Sequence, residues 1–249
     1  MRSSSPVVVV VMGVTACGKT TTGSALAAAL GVEFRDADDL HPVANKQKMS
    51  SGIPLTDEDR YPWLAAVRDV MWTWVTNTKS GRSSSSATSA ACGISSPVAG
   101  VVACSALKVA YRRFLRLPCP PLADSLEREE NAGGGGASPT TTLTHRVMFV
   151  YCRISPELAL QRAIARQAAH FVSPTIVSSQ FAALEEPSED EFNEVPSSAS
   201  SAELLCKGGV ITFDQNTIVD SSATSTALVD DDRMKMLLAS LNELLLSLP

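Results

Sequence analysis

The segment Gly13-Val14-Thr15-Ala16-Cys17-Gly18-Lys19-Thr20 fits the spacing G-x-x-x-x-G-K-[ST], immediately after the apolar run Val7 to Met12 and before a helical pattern. Strand, tight loop and helix must therefore follow one another here. Glycines let backbone N–H groups close on phosphates, and the helix start adds its positive end. The nucleotide-binding residues are then Gly13, Val14, Thr15, Ala16, Cys17, Gly18, Lys19, Thr20 and Thr21. Lys19 is the catalytic cation for the β- and γ-phosphates, and the Thr20 hydroxyl is a metal ligand. ATP and Mg²⁺ are the expected cofactors. Arg2, the valine run and Val14-Thr15-Ala16-Cys17 loosely imitate a lipoprotein signal, but cleavage before Cys17 would cut the loop.

Four further apolar runs read as strands: Val32 to Arg35, Val101 to Cys104, Val147 to Tyr151 and Val210 to Phe213. Helical patterns lie between them, so the alternation predicts an α/β fold with a parallel sheet covered on both faces. Thr56 with Asp59 forms a capping box ahead of a helix whose Trp63, Val67, Val70 and Trp74 share a face. Ser155-Pro156 and Ser173-Pro174 mark two more helix starts, and Met234 to Leu248 carries leucines at helical spacing. Low hydrophobicity makes 80–97, 118–144 and 187–203 expected surface insertions in a single domain spanning 1–249.

A net charge of −5 gives no basic footprint for nucleic acid or an anionic membrane. The six cysteines include no C-x-x-C pair, which argues against zinc or a disulfide framework and makes a reducing cytoplasm the default. No run reaches the ~18 apolar residues of a membrane span.

The second strand leads into Asp36 and Asp38, on the same sheet edge as the phosphate loop. One carboxylate can serve the metal, with Asp36 favoured. The other, Asp38, can bind an acceptor hydroxyl and take its proton as the alcohol attacks phosphorus. The competing reading is a solvated acidic loop with a helix N-cap at Asp38 or Asp39.

From Asp36-Ala37-Asp38-Asp39-Leu40-His41-Pro42, through Asn45, Lys48-Met49 and Gly52 to Arg60, to Trp63, the chain resembles the gluconokinases. So do Ala103-Cys104-Ser105-Ala106-Leu107-Lys108 with Tyr111-Arg112, His170-Phe171, Ser179-Gln180-Phe181 and Leu184-Glu185-Glu186-Pro187. The resemblance implies the fold of shikimate and nucleoside-monophosphate kinases: a three-layer P-loop kinase fold with a five-stranded parallel sheet, a lid and insertions. It also implies ATP:D-gluconate 6-phosphotransferase activity, with gluconate and ATP as partners, a homodimer allowed, and neither nucleic acid nor membrane involved.

For an anionic polyol, Arg60, Lys108 and Arg112 are the cationic candidates and His41 a donor to a hydroxyl. Arg60 can instead pair with Asp57 or another helix neighbour, and His41 can pack a loop. Arg162 and Arg166 are expected in a lid over the transferring phosphate, which would exclude water. The lid departs from the family pattern at Ala165-Arg166-Gln167-Ala168-Ala169-His170-Phe171, which has an added residue and no hinge glycine. Ala16-Cys17 replaces a Gly/Ser pair, putting a thiol in the phosphate loop.

Overall fold

The computed structural model describes residues 5–79, 97–117, 146–165, 174–193, 208–216 and 231–247. Among them β1 (Val7–Met12), β2 (Glu33–Asp36), β3 (Val98–Ala103), β4 (Arg146–Arg153) and β5 (Gly208–Asp214) form one sheet. Their order is β2-β3-β1-β4-β5, and every pairing is parallel. The expected α/β class and strand alternation are found. Parallel neighbours require crossovers, supplied by α1 (Lys19–Leu30), α2 (Val43–Ser50), α3 (Asp57–Lys79), α4 (Val109–Arg116), α5 (Pro156–Ala165), α6 (Pro174–Ala183) and α7 (Asp190–Asn193), while α8 (Asp231–Ser247) follows the last strand. No helix among the described residues is long and apolar enough to cross a membrane.

Strand β1 shows why this sequence makes a three-layer structure. Val7, Val9 and Val11 join one core with Leu26 of α1, Ala159 of α5 and Leu237 and Leu241 of α8. Val8, Val10 and Met12 join the other, with Trp63, Leu64 and Val67 of α3 and Tyr111 and Leu115 of α4. All six β1 residues are buried. Alternation along a strand sends successive side chains to opposite faces, so an unbroken apolar run fits only a sheet covered on both sides.

Strand β3 starts three residues earlier than its Val101 expectation, at Val98. Ala99 and Gly100 carry little strand propensity, but Trp74 lies over Gly100 so closely that a Cβ there would collide with its ring. Packing, not propensity, extends the strand. The capping box holds: Asp59 N–H donates to Thr56 Oγ1 (3.3 Å) and Thr56 N–H to Asp59 Oδ2 (3.0 Å). Leu158 N–H donates to Ser155 Oγ at 3.2 Å, capping α5. Ser173 lies outside the described residues, as do 80–96 of the expected 80–97 insertion and all of 118–144.

The third expected insertion needs correction. Of the expected 187–203 insertion, 194–203 lie outside the described residues; Ser188, Glu189 and Asp190 are exposed as expected, but the short helix α7 lies against β5 and buries Glu191 and Phe192. Glu191 meets Arg112, which is 0 % exposed, with Arg112 Nη2 donating to Glu191 Oε2 at 2.7 Å and Nε donating to both carboxylate oxygens at 3.0 Å. Arg112 Nη1 donates to the carbonyls of Ala106 and Leu107 at 3.0 and 3.1 Å. Each charge compensates the other's desolvation, so removing one strands its partner. Glu191→Ala should therefore cost about 3–5 kcal/mol of unfolding free energy in urea titration, and the apolar double replacement Arg112→Met with Glu191→Leu should recover most of it. A single variant within ~0.5 kcal/mol of the parent would show that the pair anchors nothing.

Candidate active site

Because all strands run parallel, their carboxyl ends share one edge, and the loops that leave it build the site. The first loop follows β1. Gly13 has φ 140°, and a Cβ there would lie 2.8 Å from Cys17 Sγ and 2.9 Å from the Cys152 carbonyl. Ala16 (φ 65°) and Gly18 (φ 95°) also take positive φ, bending the loop into the N-terminus of α1. Gly13 N–H donates to Ser105 O at 3.3 Å, tying the loop to the segment after β3.

Lys19 Nζ donates to Val14 O at 2.9 Å. Burial works against its charge, but Cys17, Asp38, Cys152 and Asp36 outweigh it and hold the ammonium above the ordinary lysine value. Cys17 does not stand beside the phosphates as its position in the motif suggests. It is fully buried beneath the loop, in the core shared with α1. Burial opposes its ionisation, yet the Cys152 thiol donating to it and the nearby Lys19 bring its pKa down to about 7.

Asp36, the last residue of β2, accepts the Thr20 hydroxyl on Oδ2 at 2.6 Å and the Asp38 N–H on Oδ1 at 3.0 Å. It is thus the cap of the turn Ala37–Leu40, a role the sequence reading gave to Asp38 or Asp39. Asp38 is left to line the cleft, with three-quarters of its side chain exposed and its Oδ1 4.0 Å from His41 Nε2. Crowding by the cleft wall raises its pKa above the ordinary value; Lys19 opposes this, while Asp36 and Asp39 add to it.

The segment from Asp36 to Trp63 folds upon itself. Trp63 Nε1 donates to Ala37 O at 2.6 Å, and the His41 ring stacks on Trp63 with centroids 4.1 Å apart. Asn45 Nδ2 donates to Asp59 O at 2.8 Å, and Lys48 Nζ meets Asp59 Oδ1 at 2.6 Å. These contacts build one wall of a cavity of about 260 Å³, whose lining includes Thr15, Lys19, Asp38, His41, Arg60 and Tyr111.

Of the three expected substrate cations, only Arg60 lines this cavity. Its Nη1 donates to Tyr111 Oη at 3.3 Å and lies 3.6 Å from Asp57 Oδ1, so the expected ion pair is also present. Lys108 caps α4 behind Tyr111 and gives its ammonium to both Asp57 oxygens, at 2.9 and 3.0 Å. It buttresses the wall instead of lining it. The Tyr111 hydroxyl donates to Asp57 Oδ1 at 2.5 Å, and with Lys108 it holds that carboxyl below its usual value. Arg112 is withdrawn from the substrate set, since its guanidinium is buried on Glu191. Arg162, half-buried on α5, donates to the Gln215 carbonyl at 3.5 Å and does not line the cavity. Arg166, His170 and the expected lid segment lie outside the described residues. Tyr111, Ser179 and Gln180 were assigned no role from sequence, and Asp57 only that of an ion-pair partner for Arg60; their signal was their position inside the resemblance segments.

His41 is both a packing residue and a cavity residue. Burial first, then Lys46 and Arg60, lower its pKa from 6.5 to about 4, so it is neutral at the ordinary pH of the cell. The unfolded chain binds its proton more readily between those values, so stability is complete above pH 6.5 and declines as pH falls toward 4. Urea titrations at pH 7 and pH 5 should show that decline, and His41→Gln should flatten it. An equal decline in the variant would remove His41 as its cause.

A family model described as shikimate kinase matches residues 15–62, the stretch from the phosphate loop to the start of α3. A probable gluconokinase of Rattus norvegicus is 37% identical over 190 residues, covering 75% of this chain and 86% of that protein. The thermosensitive gluconokinase of Escherichia coli (strain K12) is 32% identical over 213 residues, covering 84% and 90%. A gluconokinase from Sinorhizobium meliloti 1021, solved by crystallography, superposes with a TM-score of 0.52 at 27% identity, covering 98% of this chain and 97% of that one. At these identities and coverages, the chain belongs to the gluconokinase family.

Proposed function

We propose that this protein transfers the γ-phosphoryl group of ATP to the 6-hydroxyl of D-gluconate. The observation that carries the reading is the cavity beside the phosphate loop, where Lys19, the Asp38 carboxylate and a half-buried cation at Arg60 line one small space. A cation for the acceptor carboxylate, polar groups for its hydroxyls and a base for the attacking alcohol are what a sugar-acid kinase requires. The gluconokinase names of the relatives support this acceptor over other hydroxy acids. We read the chain as one kinase domain. The free thiols Cys17, Cys104 and Cys152 suit a reducing compartment such as the cytoplasm.

In this reading Arg60 binds the carboxylate, while His41, neutral and stacked on Trp63, presents a ring N–H to a hydroxyl. Asp38 orients the attacking hydroxyl and takes its proton as the O–P bond forms. Lys19 turns from Val14 O to the phosphates and stabilises the charge that develops there. Arg162 and Arg166 complete the phosphate side. Thr20 and Asp36 would hold Mg²⁺: their oxygens are 2.6 Å apart, and an all-oxygen pair suits a hard cation that takes its remaining ligands from phosphate and water. The chemistry Mg²⁺ supplies when bound is neutralisation of phosphate charge.

A coupled ADP assay across a panel of sugar acids and hydroxy acids tests the reading; ADP release that ignores gluconate would overturn it. Lys19→Ala should lower turnover by at least ~100-fold with the fold intact, because the transferring group loses its cation. Near-parent turnover in that folded variant would refute the loop assignment. Asp38→Asn should lower kcat by ~10²–10⁴-fold with little change in ATP affinity. Asp36→Asn should instead raise the Mg²⁺ requirement and be partly rescued by added Mg²⁺. Rescue of Asp38→Asn but not of Asp36→Asn would reverse the two roles.

A further inference from the structure

Helix α6 is fastened just beyond its C-terminus. Glu185 N–H donates to Leu107 O at 2.9 Å, and Glu185 Oε2 accepts Val109 N–H at 2.6 Å, at the start of α4. Tyr151 Oη donates to Glu186 Oε1 at 3.1 Å. Just before that anchor, Gln180 reaches the phosphate loop, and Thr15 N–H donates to Gln180 Oε1 at 2.6 Å. Both residues line the acceptor cavity. No role assigned above uses this contact.

The partner of Gln180 belongs to a peptide plane that two side chains hold, besides a longer backbone bond from Cys17 N–H to Val14 O at 3.4 Å. Val14 O and Thr15 N–H are two ends of one peptide unit; Lys19 Nζ donates to the first at 2.9 Å and Gln180 Oε1 accepts the second. A peptide unit is rigid, so either contact alone fixes the direction of both groups. Lys19 cannot keep its contact during transfer, since its charge is then needed at the phosphates. At that moment Gln180 is the remaining side-chain hold on this plane among the described residues.

We propose that Gln180 is a positioning residue for phosphoryl transfer: it keeps the Val14–Thr15 peptide oriented after Lys19 has left it, and so ties α6 to the phosphate loop. This rests on the kinase reading above. Loss of the hold leaves the loop able to bind nucleotide through its other N–H groups but poorly set for the transition state. The cost therefore falls on kcat.

The test compares Gln180→Ala with Gln180→Met, which keeps the length and packing of the side chain but offers Thr15 no comparable acceptor. Turnover with gluconate and direct ADP binding are measured for each, with thermal unfolding as a check on the fold. Both variants should lose about 10–100-fold in kcat, the range for one hydrogen bond in the transition state, while the gluconate KM and the ADP Kd stay within about threefold. Near-parent kcat in Gln180→Met would mean that the side chain only fills space, and a loss confined to KM would make it an acceptor-binding group. Either result overturns the proposal. A parent enzyme inert toward gluconate would overturn this inference and the functional reading together, whereas an active parent with indifferent variants would remove this inference alone.

Discussion

Parallel pairing forces every strand of this sheet to end on one edge, and the chemistry depends on that constraint. The phosphate loop leaves β1, the carboxylates leave β2, and Ser105 leaves β3, all within reach of one another because no strand runs the other way. The Gly13 N–H to Ser105 O bond is the local expression of this convergence. A loop of positive-φ residues has little intrinsic preference for one shape. Its shape here is set by what surrounds it: Cys17 drawn into the core below, Ser105 at its start and α1 at its end.

The cavity wall illustrates how polar residues near a site come to hold each other. Asp57 gathers Lys108, Tyr111 and Arg60, and Asp59 gathers Lys48, Thr56 and, through its carbonyl, Asn45. Both aspartates sit in the first turn of α3, where the helix N-terminus favours negative charge. Arg60 is therefore held by Tyr111 and Asp57 before any ligand arrives. A cation already partly compensated and fixed in place recognises a carboxylate with less ordering cost than a free one.

Local pattern carried much of this into the sequence. The valine run, the phosphate loop, the Thr56–Asp59 box and the Ser155 cap depend on near neighbours, and each was legible. Asp36 and Asp38 were legible as a pair, but the competing reading placed the cap at Asp38 or Asp39, because the turn's start was read too late and Asp36 itself accepts the Asp38 N–H. What could not be read depends on distant partners. Arg112 looks like a substrate cation four residues after Lys108, and only Glu191, buried from within a polar stretch, shows otherwise. The extension of β3 through Gly100 required Trp74 to cover it. Gln180 stood in a recognisable segment, but its meaning lies in a backbone N–H on the other side of the cavity.

Strand β1 also works as a partition. Its odd-numbered valines serve the core that carries α1 and α8, and Val8, Val10 and Met12 serve the core that carries α3 and α4. The two cores share a backbone but not side chains along this strand. Helices α3 and α4 on the acceptor side can consequently be repacked without touching the residues that seat the nucleotide helix, which gives evolution a way to change the acceptor while the phosphate machinery stays as it is.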